Sequence, residues 1–312
     1  MTPILTAEGL SVSFTRYGRG LSRVELPGIR DLSLTADPGR VTAVVGSSGS
    51  GKSLLAHAVL GILPRNSRME GALLYDGAPL SPRRAAALRG REIVLVPQGA
   101  GCLDPLMQVG PQIRRGRRGP EIRTRCRQAL ERYGLGPGTE TLYPFQLSGG
   151  MARRVLIASA VMEEPRLVVA DEPTPGLDVR AAGRLLSHFR ELADQGAGVL
   201  FITHDLELAL TVAHKVVVLY AGQTVEEVPA EGFRTGKGLA HPYSQALCRA
   251  MPRNGFQALP GLQPEGPDLP EGCAFAPRCP GRRPECGRGQ IPYIETNRGR
   301  ARCLFPGEVP VL

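Results

Sequence analysis

Gly46-Ser-Ser-Gly-Ser-Gly-Lys-Ser53 has the spacing G-x-x-x-x-G-K-[ST] of a loop that cradles phosphate groups. Glycines in such a loop let successive backbone N–H groups turn inward toward anionic oxygens, and the helix that follows points its positive end at the same charge. Gly46, Ser47, Ser48, Gly49, Ser50 and Gly51 make the cradle. Lys52 is placed to reach the β- and γ-phosphates of a nucleotide, and the Ser53 hydroxyl to bind Mg²⁺. The loop needs a strand before it and a helix after it. Val41-Thr-Ala-Val-Val45 is β-branched and apolar, and Leu54-Leu-Ala-His-Ala-Val-Leu60 carries helix formers at helical spacing.

A second anchor is Leu167-Val-Val-Ala-Asp-Glu172, a short apolar run ending in two carboxylates. It reads as a buried parallel strand that delivers acids to the C-terminal edge of a sheet, where the phosphate loop also lies. Asp171 suits Mg²⁺ and Glu172 suits polarising an attacking water. Adjacent acids repel one another, so the pair makes little sense without a metal or a polar network. Between the anchors, Leu147-Ser-Gly-Gly-Met151 opens a helix-like stretch from Ala152 to Glu163, a second place where N–H donors and a hydroxyl meet an anion. Gln98 follows the strand-like Ile93-Val-Leu-Val96, Leu177-Asp178 follows the acids, and Phe201-Ile-Thr-His204 brings a histidine to another strand end. A lone histidine there is ordinarily a surface residue; its place in this series changes that reading.

With these motifs the chain resembles the ATP-binding cassette (ABC) family from Met1 to about Val228. The resemblance implies that Phe14, or Tyr17 nearby, stacks on adenine. It makes Gln98 the Q-loop glutamine, also close to Mg²⁺, and Ser148, Gly149 and Gly150 the signature. It makes Asp171 and Glu172 the Walker B pair, Asp178 the D-loop aspartate and His204 the switch histidine. It further implies a second cassette, identical or sister, that sandwiches each ATP between one phosphate loop and the other signature. Three departures stand out: Met151 and Arg153 replace the usual glutamines, and Pro175-Gly176 replaces Thr-Ala. Methionine at the first of these is common in one of the two ATPases of the family's peptide and nickel importers.

The chain has 312 residues, 42% of them hydrophobic, which suits one cassette with an appendage and an ample core. The start lacks a basic stretch followed by an apolar one, so no signal peptide is expected. No apolar run is long enough to span a bilayer, so any membrane path belongs to other chains. The formal charge of +9 is almost wholly arginine, since lysine occurs only at 52, 215 and 237. Arg114, Arg115, Arg117, Arg118, Arg123, Arg125 and Arg127 gather in one region without interleaved aromatics. A solvated face is the preferred reading, then an anionic membrane surface, and nucleic acid is not expected as a partner.

Strand and helix signals alternate in an order that predicts an α/β fold: a mostly parallel sheet core, an antiparallel β subdomain, a helical subdomain at about 99–164 and a C-terminal extension. The cassette is expected to cover 1–232 and the extension 233–312, with a Pro/Gly-rich linker from Pro252 to Glu271. Helices are expected after the phosphate loop and over Val179–Gln195. In the extension, Leu239-Ala-His-Pro-Tyr-Ser-Gln-Ala-Leu247 resembles the His-Pro-Tyr element of the peptide/nickel importer ATPases, although a helix start around a proline would look the same.

Four of the seven cysteines, Cys273, Cys279, Cys286 and Cys303, lie in the last forty residues among proline and glycine, with few large apolar residues. Such a segment needs a cross-link to fold. Disulfides are disfavoured in a reducing compartment, and the spacings are wider than zinc pairs prefer. Four thiolates also suit a [4Fe–4S] cluster, which the same importer subgroup implies; zinc and free thiols stay open. Cys102, Cys126 and Cys248 read as incidental or buried.

The resemblance thus implies an ATP-hydrolysing importer subunit for peptides, nickel or a metal-chelating opine, on the cytoplasmic face of the inner membrane. Its partners would be a second cassette, two permease subunits and, indirectly, an extracytoplasmic substrate-binding protein. The alternatives are a non-transport ABC ATPase acting on nucleic acid or ribosomes, and a subunit whose cysteine tail senses redox state.

Overall fold

The computed structural model of the protein describes residues 2–17, 23–162, 164–264 and 269–307. Glu163, the expected end of the helix after the signature, and residues 265–268 of the expected linker lie outside them.

The centre is an eight-stranded sheet. Its strands are β3 (Val41–Gly46), β6 (Ile93–Val96), β7 (Leu167–Asp171), β8 (Gly198–Thr203), β9 (Lys215–Tyr220), β10 (Gln223–Pro229), β11 (Ile294–Thr296) and β12 (Gly299–Ala301). Their spatial order is β11-β12-β10-β9-β3-β8-β7-β6. The run from β9 to β6 is parallel, and every residue of β3, β7 and β8 is buried. Strands covered on both faces need near-continuous apolar runs, which these have apart from Thr42 and the polar strand ends Asp171 and Thr203. Alternate residues feed two cores, as a period of two requires. Val44, Leu200, Ile202 and Val217 face one core. Val45, Val199, Phe201 and Val218 face the other.

The first core is capped by a four-stranded antiparallel sheet in the order β2-β1-β4-β5. It comprises β1 (Leu5–Tyr17), β2 (Arg23–Ala36), β4 (Ser67–Tyr75) and β5 (Ala78–Pro79). Helices α1 (Lys52–Leu60) and α2 (Pro82–Leu88) lie between the sheets in sequence. The second core takes in the helical lobe of α3 (Val109–Ile113), α4 (Pro120–Arg132) and α5 (Gly149–Val161), and also α6 (Val179–Asp194). Helix α6 is amphipathic and buries Leu185, Leu186, Phe189 and Leu192. Short helices α7 (Leu206–Leu210), α8 (Ala230–Thr235) and α9 (Pro242–Ala250) complete the fold.

Part of the arginine cluster serves structure rather than a solvated face. Arg114 pairs with Glu140 at 3.2 Å, and Arg125 donates to the Met162 carbonyl at 2.7 Å.

The chain beyond residue 232 joins the central sheet. Strand β12 pairs with β10, Ala301 opposite Glu226 and Arg300 opposite Glu227. Arg302, 4% exposed, donates to Asp31 at 2.7 Å and to the carbonyls of Thr224 and Ile291. The stretch that reads as a linker is also tied down: Arg278 donates to the carbonyls of Pro260 and Leu259 at 2.9 and 3.1 Å and to the Tyr220 hydroxyl at 3.2 Å. Composition alone does not reveal those anchors, because they lie on a distant arginine. Among the described residues no helix is long and apolar enough to cross a membrane.

Candidate nucleotide site

Strand β3 ends at Gly46, where a side chain would run into the Leu219 carbonyl of the neighbouring strand. The chain then turns back through Ser47–Ser50, whose backbone closes with a 3.3 Å bond from Ser50 N to Ser47 O. Gly51 caps helix α1 with φ +92°, a left-handed conformation that favours glycine. Lys52 folds over this loop, its Nζ donating to the carbonyls of Gly46 and Ser47 at 2.8 Å each. Burial holds its ammonium below its usual pKa, while Glu172 and Asp171 push the other way. Ser53, the next residue, bonds to Asp171.

Strand β7 carries the acids to the same edge. Burial raises the Asp171 carboxyl above its ordinary pKa, opposed by the Ser53 bond. Its Oδ1 is buried with no hydrogen-bond partner. A buried, unpaired carboxylate oxygen beside a hydroxyl is costly unless a cation answers it. The Ser53–Asp171 pair therefore fits Mg²⁺.

Glu172 follows with φ +44°, an uncommon backbone conformation for a residue with a side chain. Its carboxylate is held at both oxygens: Oε1 lies 2.9 Å from His204 Nδ1, and Oε2 accepts from the Thr203 hydroxyl at 3.2 Å. The His204 side chain is 67% exposed, so one flank of this pair faces outward. Such an arrangement can accept a proton from a water beside a bound phosphate.

Gln98 lies two residues past Val96, which pairs with Ala170, so it shares the sheet edge with Asp171 and Glu172. Its side chain is exposed, and its carbonyl is gripped by Arg153. The same guanidinium donates to the Pro173 carbonyl at 2.8 Å and also to the Glu172 carbonyl. Arg153 on α5 thus fastens the helical lobe to both the Gln98 turn and the acidic strand end. Sequence reading marked this residue only as a departure, and Thr203 not at all, although it immediately precedes His204.

Phe14 is half-buried, and its ring lies beside Gly28, which Leu54 of α1 also crowds. Tyr17 is 60% exposed with the Arg23 guanidinium over its ring. Ser148 caps α5 by accepting from Met151 N at 3.3 Å, and Gly149 and Gly150 begin that helix. Asp178 caps α6, accepting from Ala181 N at 2.8 Å; that bond keeps its carboxyl below the usual pKa.

Cys273, Cys279, Cys286 and Cys303 line one enclosed cavity of about 20 Å³, together with His241 and Phe275. Among the described residues no three His, Cys, Asp or Glu side chains are arranged to hold a single metal ion. Burial raises the Cys273 thiol to about 11, with the other three thiols adding to the effect. Cys126 and Cys248 are buried and Cys102 is exposed.

A parallel sheet that brings a glycine-rich loop, two acids and a histidine to one edge has the arrangement of an ABC-type ATPase. Residues 29–175 match the ABC transporter family, and residues 225–286 match the oligopeptide/dipeptide transporter C-terminal region. A Brucella abortus chain, named for peptide import as an ATP-binding protein, is 35% identical over 96% of this chain and 94% of its own length. A Brucella melitensis chain of like name is 33% identical over 97% of each. The fold is also that of the cassette MJ0796, solved as a dimer in a post-hydrolysis state with ADP and Pi. That likeness has a TM-score of 0.64 at 24% identity, covering 72% of this chain and 98% of that one. An ATP-binding subunit of an ABC transporter gives 0.61 at 25% identity, covering 75% and 92%. The chain belongs to the ABC transporter family.

Proposed function

We propose that this chain is the ATP-hydrolysing subunit of a peptide importer and works as one of two cassettes beneath a pair of permease subunits. The observation that carries the reading is the union of an ABC cassette and an oligopeptide/dipeptide transporter C-terminal region in one polypeptide. Peptide is the cargo supported by the relatives' names; nickel and a metal-chelating opine have no such support.

In this reading the Gly46–Ser53 loop holds the phosphates, Lys52 the β- and γ-oxygens, and Ser53 with Asp171 the Mg²⁺, with Gln98 at its edge. Glu172 polarises water and His204 orients it. Phe14 carries the adenine, because its ring lies on the same glycine as Leu54 at the start of α1. Ser148, Gly149 and Gly150 reach the partner cassette's ATP, and Asp178 lies at that junction. ATP binding closes the pair and hydrolysis releases it. The chain sits on the cytoplasmic face of the membrane, with an extracytoplasmic binding protein delivering cargo to the permeases.

The four cysteines surround one cavity, and four thiolates about one space suit a [4Fe–4S] cluster, with zinc as the alternative. Loading requires these loops to spread, since the cavity has room for about one water. A cluster would cross-link a segment too poor in apolar residues to fold firmly alone.

The test is co-purification with membrane permeases and peptide-stimulated ATPase in proteoliposomes. Stimulation by DNA or RNA instead would favour the non-transport reading. Iron and acid-labile sulfide measured after anaerobic preparation test the cluster; a colourless, metal-free protein would remove it and the redox-sensing role with it.

A further inference from the structure

Two side chains from the extension converge on the second residue of the phosphate loop. The Ser47 hydroxyl donates to Gln263 Oε1. The same oxygen accepts from the backbone N–H of Ala221, at the turn between β9 and β10, at 3.3 Å. The Tyr243 hydroxyl sits beside the Ser47 hydroxyl and its backbone N–H, and both oppose the upward push that burial gives its pKa. Tyr243 cannot easily move away. Its ring packs on Tyr220 with centroids 4.5 Å apart and on Phe275 at 5.3 Å, and it is 3% exposed. Gln263 belongs to the stretch whose carbonyls at Leu259 and Pro260 are held by Arg278.

A phosphate loop binds anions through backbone N–H groups, so its affinity depends on their being aimed before the ligand arrives. Lys52 braces the loop from inside through the Gly46 and Ser47 carbonyls. Nothing in the loop itself holds the Ser47 side chain; its contacts come from residues about two hundred positions later.

We propose that Tyr243 and Gln263 are positioning residues for the nucleotide: by pinning Ser47 they hold the phosphate loop ready, so that docking of the C-terminal extension and binding of ATP strengthen one another. The proposal rests on the assignment of residues 46–53 as the nucleotide site. Coupling of two binding events is reciprocal, so bound nucleotide must also tighten the extension.

The experiment uses the full chain. Affinity for MgADP and steady-state ATPase are measured for wild type, Tyr243→Phe, Gln263→Ala, both together, and each in a Ser47→Ala background. The double variant is expected to weaken MgADP severalfold, to about tenfold, and to raise KM more than it lowers kcat. In the Ser47→Ala background the two substitutions should cost clearly less, because the hydroxyl both meet is gone and only the Ser47 backbone N–H (for Tyr243) and the Ala221 N–H (for Gln263) remain. Hydrogen exchange at residues 257–264 should slow when MgADP binds wild type, and slow less in Ser47→Ala. Unchanged affinity in a folded double variant, or an effect undiminished without the Ser47 hydroxyl, would overturn the proposal. A wild-type protein that bound no nucleotide would instead overturn the site assignment.

Discussion

Glu172 and His204 face each other at 2.9 Å across the ends of β7 and β8, with the histidine ring exposed and the carboxylate buried. Thr203 takes the other carboxylate oxygen, so the side chain has a single orientation before any water arrives. This fixes the proposed base at the end of a buried strand, which limits what ligand binding must order.

Replacing Glu172 with Gln keeps the size and the contacts to Thr203 and His204 but removes the proton acceptor. ATP binding should persist while hydrolysis falls by about 10²- to 10⁴-fold, the usual share of a positioned base. Single-turnover hydrolysis alongside nucleotide binding checks this. Undiminished turnover would reassign the base.

Asp171 stands in a different position, because its Oδ1 has no partner and burial disfavours its charge. Asp171→Asn should raise the stability of the nucleotide-free protein by about 1 kcal/mol, as removing functional strain commonly does. It should also abolish the additional stabilisation that Mg²⁺ gives over ATP alone. Thermal unfolding with and without each ligand reads both effects.

How much of this could be read beforehand follows from which interactions are local. The phosphate loop, the acid pair and the strand-end histidine are legible because backbone chemistry demands those residue types at fixed spacing. Buried β3, β7 and β8 are legible as near-continuous apolar runs. His241 shows the limit: the His-Pro-Tyr element lies within the matched C-terminal region and is at the same time a helix start, His241 capping α9 by accepting from Tyr243 N at 3.0 Å and Pro242 at the first turn. The pairing of β12 with β10 and the anchoring of Leu259 and Pro260 are long-range contacts between short, irregular segments. Neither periodicity nor composition encodes which distant partner such a segment finds.

Arg153 illustrates a departure from a familiar motif that acquires its own contacts. Its guanidinium serves three carbonyls, at Gln98, Glu172 and Pro173, and hydrogen bonds from a charged donor are worth about 1.5–3 kcal/mol each. Arg153→Ala should lower Tm and reduce kcat about tenfold, equivalent to about 1.4 kcal/mol. KM for ATP should change less, because the phosphate loop is untouched. Arg153→Gln, which retains two donors, should recover part of the rate. A normal kcat in Arg153→Ala would show that the Gln98 turn needs no such brace.

His241 sets a pH dependence of stability. The ring is fully buried, and burial, reinforced by Arg302, lowers its pKa from 6.5 to about 3. Nearby, Glu226 accepts from the backbone N–H groups of Ala240 and His241 at 2.6 and 3.1 Å and so anchors the segment rather than the imidazole. The unfolded chain therefore binds a proton at His241 that the folded chain refuses between about pH 6.5 and 3. This contribution to stability is complete above the unfolded value and is lost as pH falls below it, reaching about 2 kcal/mol near pH 5 as an upper figure. Asn at 241 keeps a side-chain oxygen to cap α9 but has nothing to titrate. Denaturant unfolding at about pH 7.5 and 5 should show a smaller loss for His241→Asn than for wild type. Equal losses would mean that the imidazole gains a proton without leaving its site.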